Sequence, residues 1–452
     1  MNTCAGVCWR TLLVGLACGL AAPAGAAAAP DPLLADQWAL SDPGAIGAQE
    51  AWTQSHGAGV LVAVLDTGLQ LDHPDLAANV WTNPGEVAGN GRDDDANGIV
   101  DDVHGANMFN SSANVNDDNG HGTHVAGIIA ARQGNAIGGS GLAPAATILP
   151  VKVLDSAMSG NTDALARGIR YAVDSGAKIL NVSLNGDGAT ETVASAVRYA
   201  GEHGAVIVAS AGNNGRDIDV QPSYPASLPD DAILSVAAVT SQGLLWNLSN
   251  RGLVSVDVAA PGQQVVSTAS GSSYQSRTGT SAAAPFVAAS LALLSAVRPD
   301  LPMSVLRNTI VDTTRRSSSF STVLGGGRLD VAAAMHRVLP GAAWKSAALA
   351  PAPAAAPAAT VVTPRLRLRP PTKPRAGTFI ALRWSATGAA KVTRWRVSLD
   401  GRVVATVPAG RARVSRRIAR AGRHGWSVVG LDSRKARVVA GRSAFRAVAR
   451  SR

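Results

Sequence analysis

Apolar runs rich in β-branched residues recur along the chain as far as about residue 240. Each run has five to seven residues and stays apolar at successive positions, which is typical of strands buried on both faces of a parallel sheet. Between several of them lie Ala-rich stretches with apolar residues at helical spacing. The runs are 60–65, 147–153, 179–184, 205–209 and 233–239, and the helical stretches are 124–132, 163–175 and 192–203. The pattern predicts an α/β domain in which helices cover both faces of a parallel sheet.

The pattern changes after residue 340. Residues 341–363 are rich in Ala and Pro, which predicts a semi-extended linker. From 364 onwards, period-two runs alternate with turn residues such as Asp400-Gly401, which predicts a small all-β domain of the β-sandwich kind. These runs are 379–384, 393–399, 402–407, 424–429 and 437–439. We therefore expect four segments, with boundaries 1–28, 29–340, 341–363 and 364–452.

The first segment, 1–28, predicts a signal peptide. Arg10 precedes a short apolar run at 12–22, and small residues follow at 24–27. The run is too short and too rich in Ala and Gly for a retained transmembrane anchor. We expect a secreted, extracellular monomer with no such anchor. All three cysteines lie within the first twenty residues, so the exported protein would have no thiol for a disulfide.

Charge is divided unevenly between the two large segments. Residues 341–452 hold 24 Lys and Arg against 2 Asp and Glu, a net charge of +22. Residues 1–340 hold 17 against 29, a net charge of −12. A segment this basic could contact a polyanion or the cell wall through its charge. The alternative is that its arginines form the solvated face of a β-sandwich, and no nucleic-acid-binding motif accompanies them.

Four residues with the chemistry of acyl transfer stand at the ends of predicted elements. Asp66 closes the first strand, His121 and Ser281 each precede a helical stretch, and Asn213 follows a strand. A serine hydroxyl needs a base, an imidazole can take its proton, and a carboxylate can orient the imidazole. The motifs are VAVLDTG (62–68), NGHGTHVAG (119–127), SAGNNG (210–215) and GTSAAAP (279–285). Because open parallel sheets place their sites at the carboxyl ends of strands, we expect convergence there.

These motifs, in the order Asp, His, Ser, resemble those of the subtilisin-like serine proteases. The resemblance covers about residues 31–338 and implies a peptidase domain over 29–340 that cleaves proteins or peptides through an acyl-enzyme. It implies Ser281 as nucleophile, His121 as base, Asp66 as the orienting acid and Asn213 as the oxyanion-hole donor. Ala282 departs from the Met that the family often has after the nucleophile.

The resemblance also implies two substrate-binding segments. One comprises Ser183, Leu184, Asn185 and Gly186, and the other contains Ser159 and Gly160. An extended peptide would lie between them as an added strand. The stretch at 183–186 carries no charge, which favours apolar or large side chains before the cut.

Two loops predict structural calcium. The loop DDDANGIVDD (93–102) places side-chain oxygens at positions 1, 3, 5 and 9 of a calcium loop, with Gly at 6. These are Asp93, Asp95, Asn97 and Asp101; position 12 is His104, so a complete EF-hand is not expected, and a solvated acidic loop is the alternative. The family resemblance implies a second site from Asp31, Asp75 and Asn135. Metal bound only by the folded state would stabilise a protein without disulfides.

Two alternatives to a protease stay open. A non-catalytic surface-binding protein could retain the protease fold and use the basic segment, although the complete Asp, His and Ser set argues against it. An esterase is the second, and the lack of Gly-x-Ser-x-Gly around Ser281 disfavours it.

Overall fold

The computed structural model describes residues 30–188, 190–317, 320, 323, 327–342 and 344, and seven strands between 365 and 447. The predicted signal peptide and all but three residues of the predicted linker lie outside the described residues. The chain divides into two compact units, Met1–Ala348 and Leu349–Arg452.

A nine-stranded sheet forms the centre of the first unit. Its strands are β1 (Leu61–Asp66), β2 (Ala106–Asn107), β3 (Thr147–Lys152), β4 (Ile179–Val182), β5 (Val206–Ser210), β6 (Ile233–Val239), β7 (Val258–Pro261), β10 (Arg315–Arg316) and β11 (Gly327–Arg328). The order is β10-β11-β7-β6-β5-β4-β1-β3-β2, and neighbours pair in parallel except β10 with β11. Every residue of β4 to β7 is buried, as the continuous apolar runs require. The predicted α/β class with a mostly parallel sheet is confirmed.

Helices cover both faces of this sheet. They are α1 (Trp38–Ser41), α2 (Ala48–Ala51), α3 (His121–Ala130), α4 (Thr162–Asp174), α5 (Glu191–Glu202), α6 (Thr280–Val297), α7 (Met303–Asp312) and α8 (Val331–Val338). Successive residues of β1 point to opposite faces, so Val62 and Val64 join the core under α3 and α6, whereas Ala63 and Leu65 join the core under α4 and α5.

Helix α6 is the longest helix and packs against β4, β5, β6 and β7. Of the residues that the structure describes, it alone is long and apolar enough to cross a membrane, and most of its surface is buried in the core. An antiparallel hairpin, β8 (Val265–Ala269) with β9 (Ser273–Arg277), precedes it and packs against α3.

The described part of the second unit comprises seven strands in two antiparallel sheets. The three-stranded sheet has the order β12 (Arg365–Arg369), β13 (Phe379–Thr387), β16 (Arg413–Arg417). The four-stranded sheet has the order β15 (Arg402–Pro408), β14 (Arg394–Leu399), β17 (Gly422–Leu431), β18 (Arg437–Ala447). Trp395, Val397 and Val428 of the second sheet are buried.

Candidate active site

The carboxyl edge of the central sheet gathers the predicted catalytic residues. Asp66 is the last residue of β1, Ser183 follows β4 directly, and Asn213 lies three residues beyond β5. These strands are neighbours and run in parallel, so their carboxyl ends meet at one edge. Helices α3 and α6, which begin at His121 and Thr280, pack against each other and start at the same edge.

Asp66 and His121 form a buried pair. The Nδ1 atom of His121 lies 2.7 Å from Oδ1 of Asp66. His121 is 6 % exposed and Asp66 is 0 % exposed. A carboxylate only accepts hydrogen bonds, so Nδ1 carries the proton and Nε2 keeps a lone pair that can accept one. The other carboxylate oxygen, Oδ2, is buried without a hydrogen-bond partner among the described residues.

Burial and the neighbouring charges have opposite effects on the pKa of His121. Burial is the largest single influence and lowers it, but the charge of Asp66 and its hydrogen bond together outweigh burial, so the pKa of His121 is raised. Arg277 lowers it and Asp117 raises it to smaller extents. The imidazole is therefore a stronger base than free histidine, which suits it to take a proton from a hydroxyl.

Thr67 connects this pair to its surroundings. Its backbone N–H donates to Oδ1 of Asp66 (2.7 Å), and its hydroxyl donates to Asp117 (2.8 Å) and accepts from the N–H of Gly122 (2.9 Å). Its carbonyl accepts from the buried ammonium of Lys152 (2.5 Å). We call Thr67 with these three partners, Asp117, Gly122 and Lys152, the Thr67 network. It ties the end of β1, which carries Asp66, to the start of α3, which carries His121.

Asp117 closes the N-terminus of α3. Its two oxygens accept five hydrogen bonds, from the N–H groups of Asn119, Gly120 and Thr123 and from the hydroxyls of Thr67 and Thr123. Burial raises its pKa more than any single hydrogen bond lowers it, yet the hydrogen bonds together leave the pKa of Asp117 below its usual value. The carboxylate satisfies free amides and opposes the positive end of the helix dipole.

Ser281, the second residue of α6, makes a reciprocal pair with Ser183. The hydroxyl of Ser281 donates to the carbonyl of Ser183 (3.0 Å), and the hydroxyl of Ser183 donates to the carbonyl of Ser281 (2.9 Å). Pro285 lacks the N–H that would otherwise bind the Ser281 carbonyl within the helix, which leaves that carbonyl open to Ser183. In this structure the hydroxyl of Ser281 is thus engaged by a carbonyl and not by the imidazole of His121.

Asn213 is held by Thr280. Its Oδ1 accepts from the backbone N–H (2.8 Å) and from the hydroxyl (3.0 Å) of Thr280. Two donors on Oδ1 fix which way the amide faces, and they leave the Nδ2 donor for another acceptor. Asn213 and Ser281 line the same cavity.

That cavity has a volume of about 270 Å³ and no charged residue among those lining it. Its lining includes Ser183, Leu184, Asn185, Gly186 and Gly160, with an apolar wall of Val153, Leu154, Met158, Leu165 and Val193. Tyr224 and Pro225, joined by a cis peptide bond, also line it.

Two of the residues expected to bind substrate use their backbones elsewhere. The N–H and carbonyl of Gly186 pair with Tyr224, so Gly186 shapes the cavity without a free backbone group. Ser159 lies outside the cavity lining; its N–H and carbonyl pair with Asp155 within their own loop.

The acidic loop brings one predicted residue, Asp95, together with two that sequence reasoning missed, Glu86 and Asp102. Asp95 comes together with Glu86 and Asp102, and one carboxylate oxygen from each lies within 4.8 Å of the others. Asn97 joins this group through Asp95 and Asp102. The carboxylates of Asp93 and Asp101 instead accept backbone N–H groups, from 97–98 and 90–91 respectively.

The second predicted metal group is brought together. The Nδ2 atom of Asn135 lies 2.6 Å from Oδ1 of Asp75, and the carboxylate of Asp31 accepts from the N–H groups of Gly134 and Asn135. Tyr274 donates its hydroxyl to the other oxygen of Asp75 (3.0 Å).

Residues 57–330 match the sequence pattern of the Subtilase family. The chain belongs to this family. It is 38 % identical to thermitase of Thermoactinomyces vulgaris over 288 residues, which are 64 % of this chain and 92 % of thermitase. It is 41 % identical to the cell wall-associated protease of Bacillus subtilis over 266 residues, 59 % of this chain and 27 % of that protein. This subtilase is a serine-type endopeptidase.

Solved structures agree with this assignment of the fold. A protease from Pseudoalteromonas arctica superposes with a TM-score of 0.59 at 30 % identity, covering 69 % of this chain and all of that one. A cold-adapted subtilisin-like serine proteinase superposes with a TM-score of 0.50 at 28 % identity, covering 61 % of this chain and 88 % of that one.

Proposed function

We propose that this subtilase is an exported endopeptidase that cleaves peptide bonds with Ser281 as nucleophile, His121 as base, Asp66 as the orienting acid and Asn213 as the oxyanion donor. The observation that carries the proposal is the buried 2.7 Å hydrogen bond between His121 and Asp66, at the edge of the sheet where the first turn of α6 contains Ser281.

The reaction begins when the hydroxyl of Ser281 turns from the carbonyl of Ser183 to Nε2 of His121. As Oγ attacks the scissile carbonyl, Nε2 takes its proton, and Asp66 stabilises the imidazolium that forms. The negative oxygen of the tetrahedral intermediate receives hydrogen bonds from Nδ2 of Asn213 and from the N–H of Ser281, at the positive end of α6. His121 then gives the proton to the leaving amine, and water hydrolyses the acyl-enzyme by the same steps.

The substrate would bind as an extended strand along residues 183–186, with the side chain before the cut in the cavity. An uncharged wall rich in Leu, Val and Met favours apolar side chains there, because a charged one would lose its hydration without a partner.

A serine-reactive phosphonate label tests the proposal. Wild type should react, whereas Ser281→Ala should not react and should not cleave a peptide library. A Ser183→Thr variant serves as the matched control, since it keeps a hydroxyl in the same cavity and should still be labelled. Equal labelling of wild type and Ser281→Ala would remove Ser281 as the nucleophile, and a folded wild type that reacts but cleaves esters alone would favour the esterase alternative.

We also propose structural calcium in both acidic groups. Asp75 and Asp102 are fully buried, and burial raises the pKa of each. Among the described residues, no Lys or Arg lies within ion-pair distance of either carboxylate. Oε2 of Glu86 is buried without a hydrogen-bond partner among the described residues. Oxygen-rich groups of this kind fit calcium, which would supply the missing charge and crosslink the loops.

For the basic C-terminal unit, we propose contact with a polyanion such as an acidic cell-wall polymer. Arg365, Arg367 and Arg369 occupy alternate positions of β12, and the register pairs Arg369 with Arg383 and Arg383 with Arg413. Alternate and directly paired positions belong to the same face of a sheet. Residues 341–452 carry a net charge of +22, and a polyanion would be attracted by that surplus of cations. Full-length protein should bind an anionic resin more tightly than protein ending at residue 340, and the difference should vanish at high salt; equal elution would remove this role.

A further inference from the structure

Arg277 places a guanidinium beside the catalytic base. It is the last residue of β9, three residues before α6 begins. A Cβ atom built on Gly120, the residue before His121, would lie 3.6 Å from Nη2 of Arg277. The charge of Arg277 also acts on the imidazoles of both His121 and His124.

This guanidinium has donors to spare. The carboxamide oxygen of Gln275, oriented by its hydrogen-bonding needs, accepts from Nε and Nη2 of Arg277 at 2.8 Å each. Among the described residues, no carboxylate lies within ion-pair distance of it. The carboxylates whose charges act on it are Asp117 and Asp66, and they are committed to the Thr67 network and to His121. A half-buried arginine keeps its charge and its five N–H groups. Gln275 accepts from two of them, so three have no partner among the described residues and remain for an anion.

The position of Arg277 identifies the part of the substrate it faces. The acyl half of a substrate occupies the uncharged cavity, whose lining includes Ser281 and Asn213 but neither His121 nor Arg277. The leaving half begins at the amine that takes its proton from His121. A charge next to His121 and outside the cavity therefore meets the residues that follow the scissile bond.

We propose that Arg277 selects substrates that carry a carboxylate within the first two residues after the scissile bond. The inference rests on the proposed function, in which His121 is the base. A planar guanidinium and a carboxylate match in geometry and form short, charge-assisted hydrogen bonds. Since Arg277 is partly exposed to solvent, we expect a selectivity of about tenfold in kcat/KM, well below that of a fully buried pair.

Matched peptides measure this selectivity directly. Substrates that differ only by Glu or Gln at the first and second positions after the cut should show a preference for Glu of about tenfold in wild type, decreasing with added salt. Arg277→Gln should abolish the preference, Arg277→Lys should retain part of it, and Arg277→Glu should turn it toward Lys. A Glu or Gln pair placed before the cut is the control and should give the same ratio in all four proteins.

A second readout separates a direct role from a structural one. The charged and titratable groups that act on His121 are Asp66, Asp117, Arg277 and His124. Removing the cation with Arg277→Gln should shift the acid limb of kcat/KM for a neutral peptide to higher pH, whereas Arg277→Lys should leave it in place.

The outcomes divide cleanly. A wild-type ratio near one, or an unchanged ratio in Arg277→Gln, would overturn the role of Arg277 while leaving the protease intact. A folded wild type that cleaves none of the peptides would overturn the proposed function itself.

Discussion

Replacing Thr67 with Val tests whether the Thr67 network positions Asp66 and His121, because it alters the network and leaves both of those residues in place. Valine has nearly the shape of threonine, so at this fully buried position the change opens no cavity. It removes the hydroxyl that donates to Asp117 and accepts from the N–H of Gly122, while the backbone N–H that binds Asp66 stays.

The two lost hydrogen bonds set the size of the effect. A buried hydrogen bond to a charged acceptor contributes about 1.5–3 kcal/mol, and leaving the N–H of Gly122 unpaired costs about 1–3 kcal/mol. The free energy of unfolding should therefore fall by about 2.5–6 kcal/mol. Because α3 is then less firmly held to β1, the imidazole of His121 loses alignment, and we expect kcat to fall by roughly ten- to a hundredfold. KM should change little, since the cavity is untouched.

Urea unfolding, steady-state kinetics on a chromogenic peptide, and circular dichroism as a check of folding test this reasoning. Thr67→Ser is the matched control, because it keeps the hydroxyl and loses one methyl group, which costs about 1 kcal/mol. A Val variant with kcat within twofold of wild type, or a Ser variant as impaired as the Val variant, would refute a positioning role for the hydroxyl.

Three further predictions concern Asn213, His124 and the acidic groups. Asn213→Ala should lower kcat by a factor of about 10²–10³, the loss known for the corresponding donor in subtilisin, with KM nearly unchanged; a tenfold loss or less in a folded variant would count against the oxyanion role. Burial, with the charge of Arg277, lowers the pKa of His124 to about 3. Below its usual pKa of 6.5, His124 is therefore protonated in the unfolded chain and stays neutral in the folded chain, which destabilises the fold as the pH falls. The free energy of unfolding should fall by about 3 kcal/mol between about pH 7 and pH 4 on this account, and His124→Gln, which keeps a donor for the carbonyls of Val265 and Gln275, should flatten that slope. Chelation should lower Tm and calcium should restore it, and Asp102→Asn should reduce the shift more than Asp93→Asn; an unchanged Tm in wild type would remove both calcium sites.

Much of the fold could be predicted because its core strands are buried along their whole length and are apolar at nearly every position. The runs at 179–184 and 233–239 contain β4 and β6 with little error, since a strand covered on both faces leaves no other pattern. Two-residue strands such as β2 are too short to show any period. Helix α3 begins at His121, where the motif predicted a helix to begin, and Asp117 accepts the N–H of Gly120 just before it.

The site divides in a similar way. Asp66, His121 and Ser281 stand in local motifs, so sequence could identify them as candidates for catalysis. The Thr67 network could not be predicted, because it depends on hydroxyl geometry across about fifty residues of chain. In the acidic loop, spacing pointed to Asp101, whereas Asp102 is the residue that faces Asp95; Asp101 adopts a φ of 53° and binds the turn at 90–91. Loop spacing alone cannot distinguish two adjacent aspartates.

In the proposed mechanism, the carbonyl of Ser183 holds the hydroxyl of Ser281 before any substrate arrives. A peptide bound along this edge as an added strand would bring its own N–H to that oxygen and compete with the hydroxyl of Ser281 for it. The hydroxyl would then be free to turn toward the imidazole of His121. Binding of a peptide substrate and release of the serine hydroxyl would then occur in the same step. Water cannot pair with this edge as a strand does, so without a peptide the hydroxyl of Ser281 would stay bound to the carbonyl of Ser183.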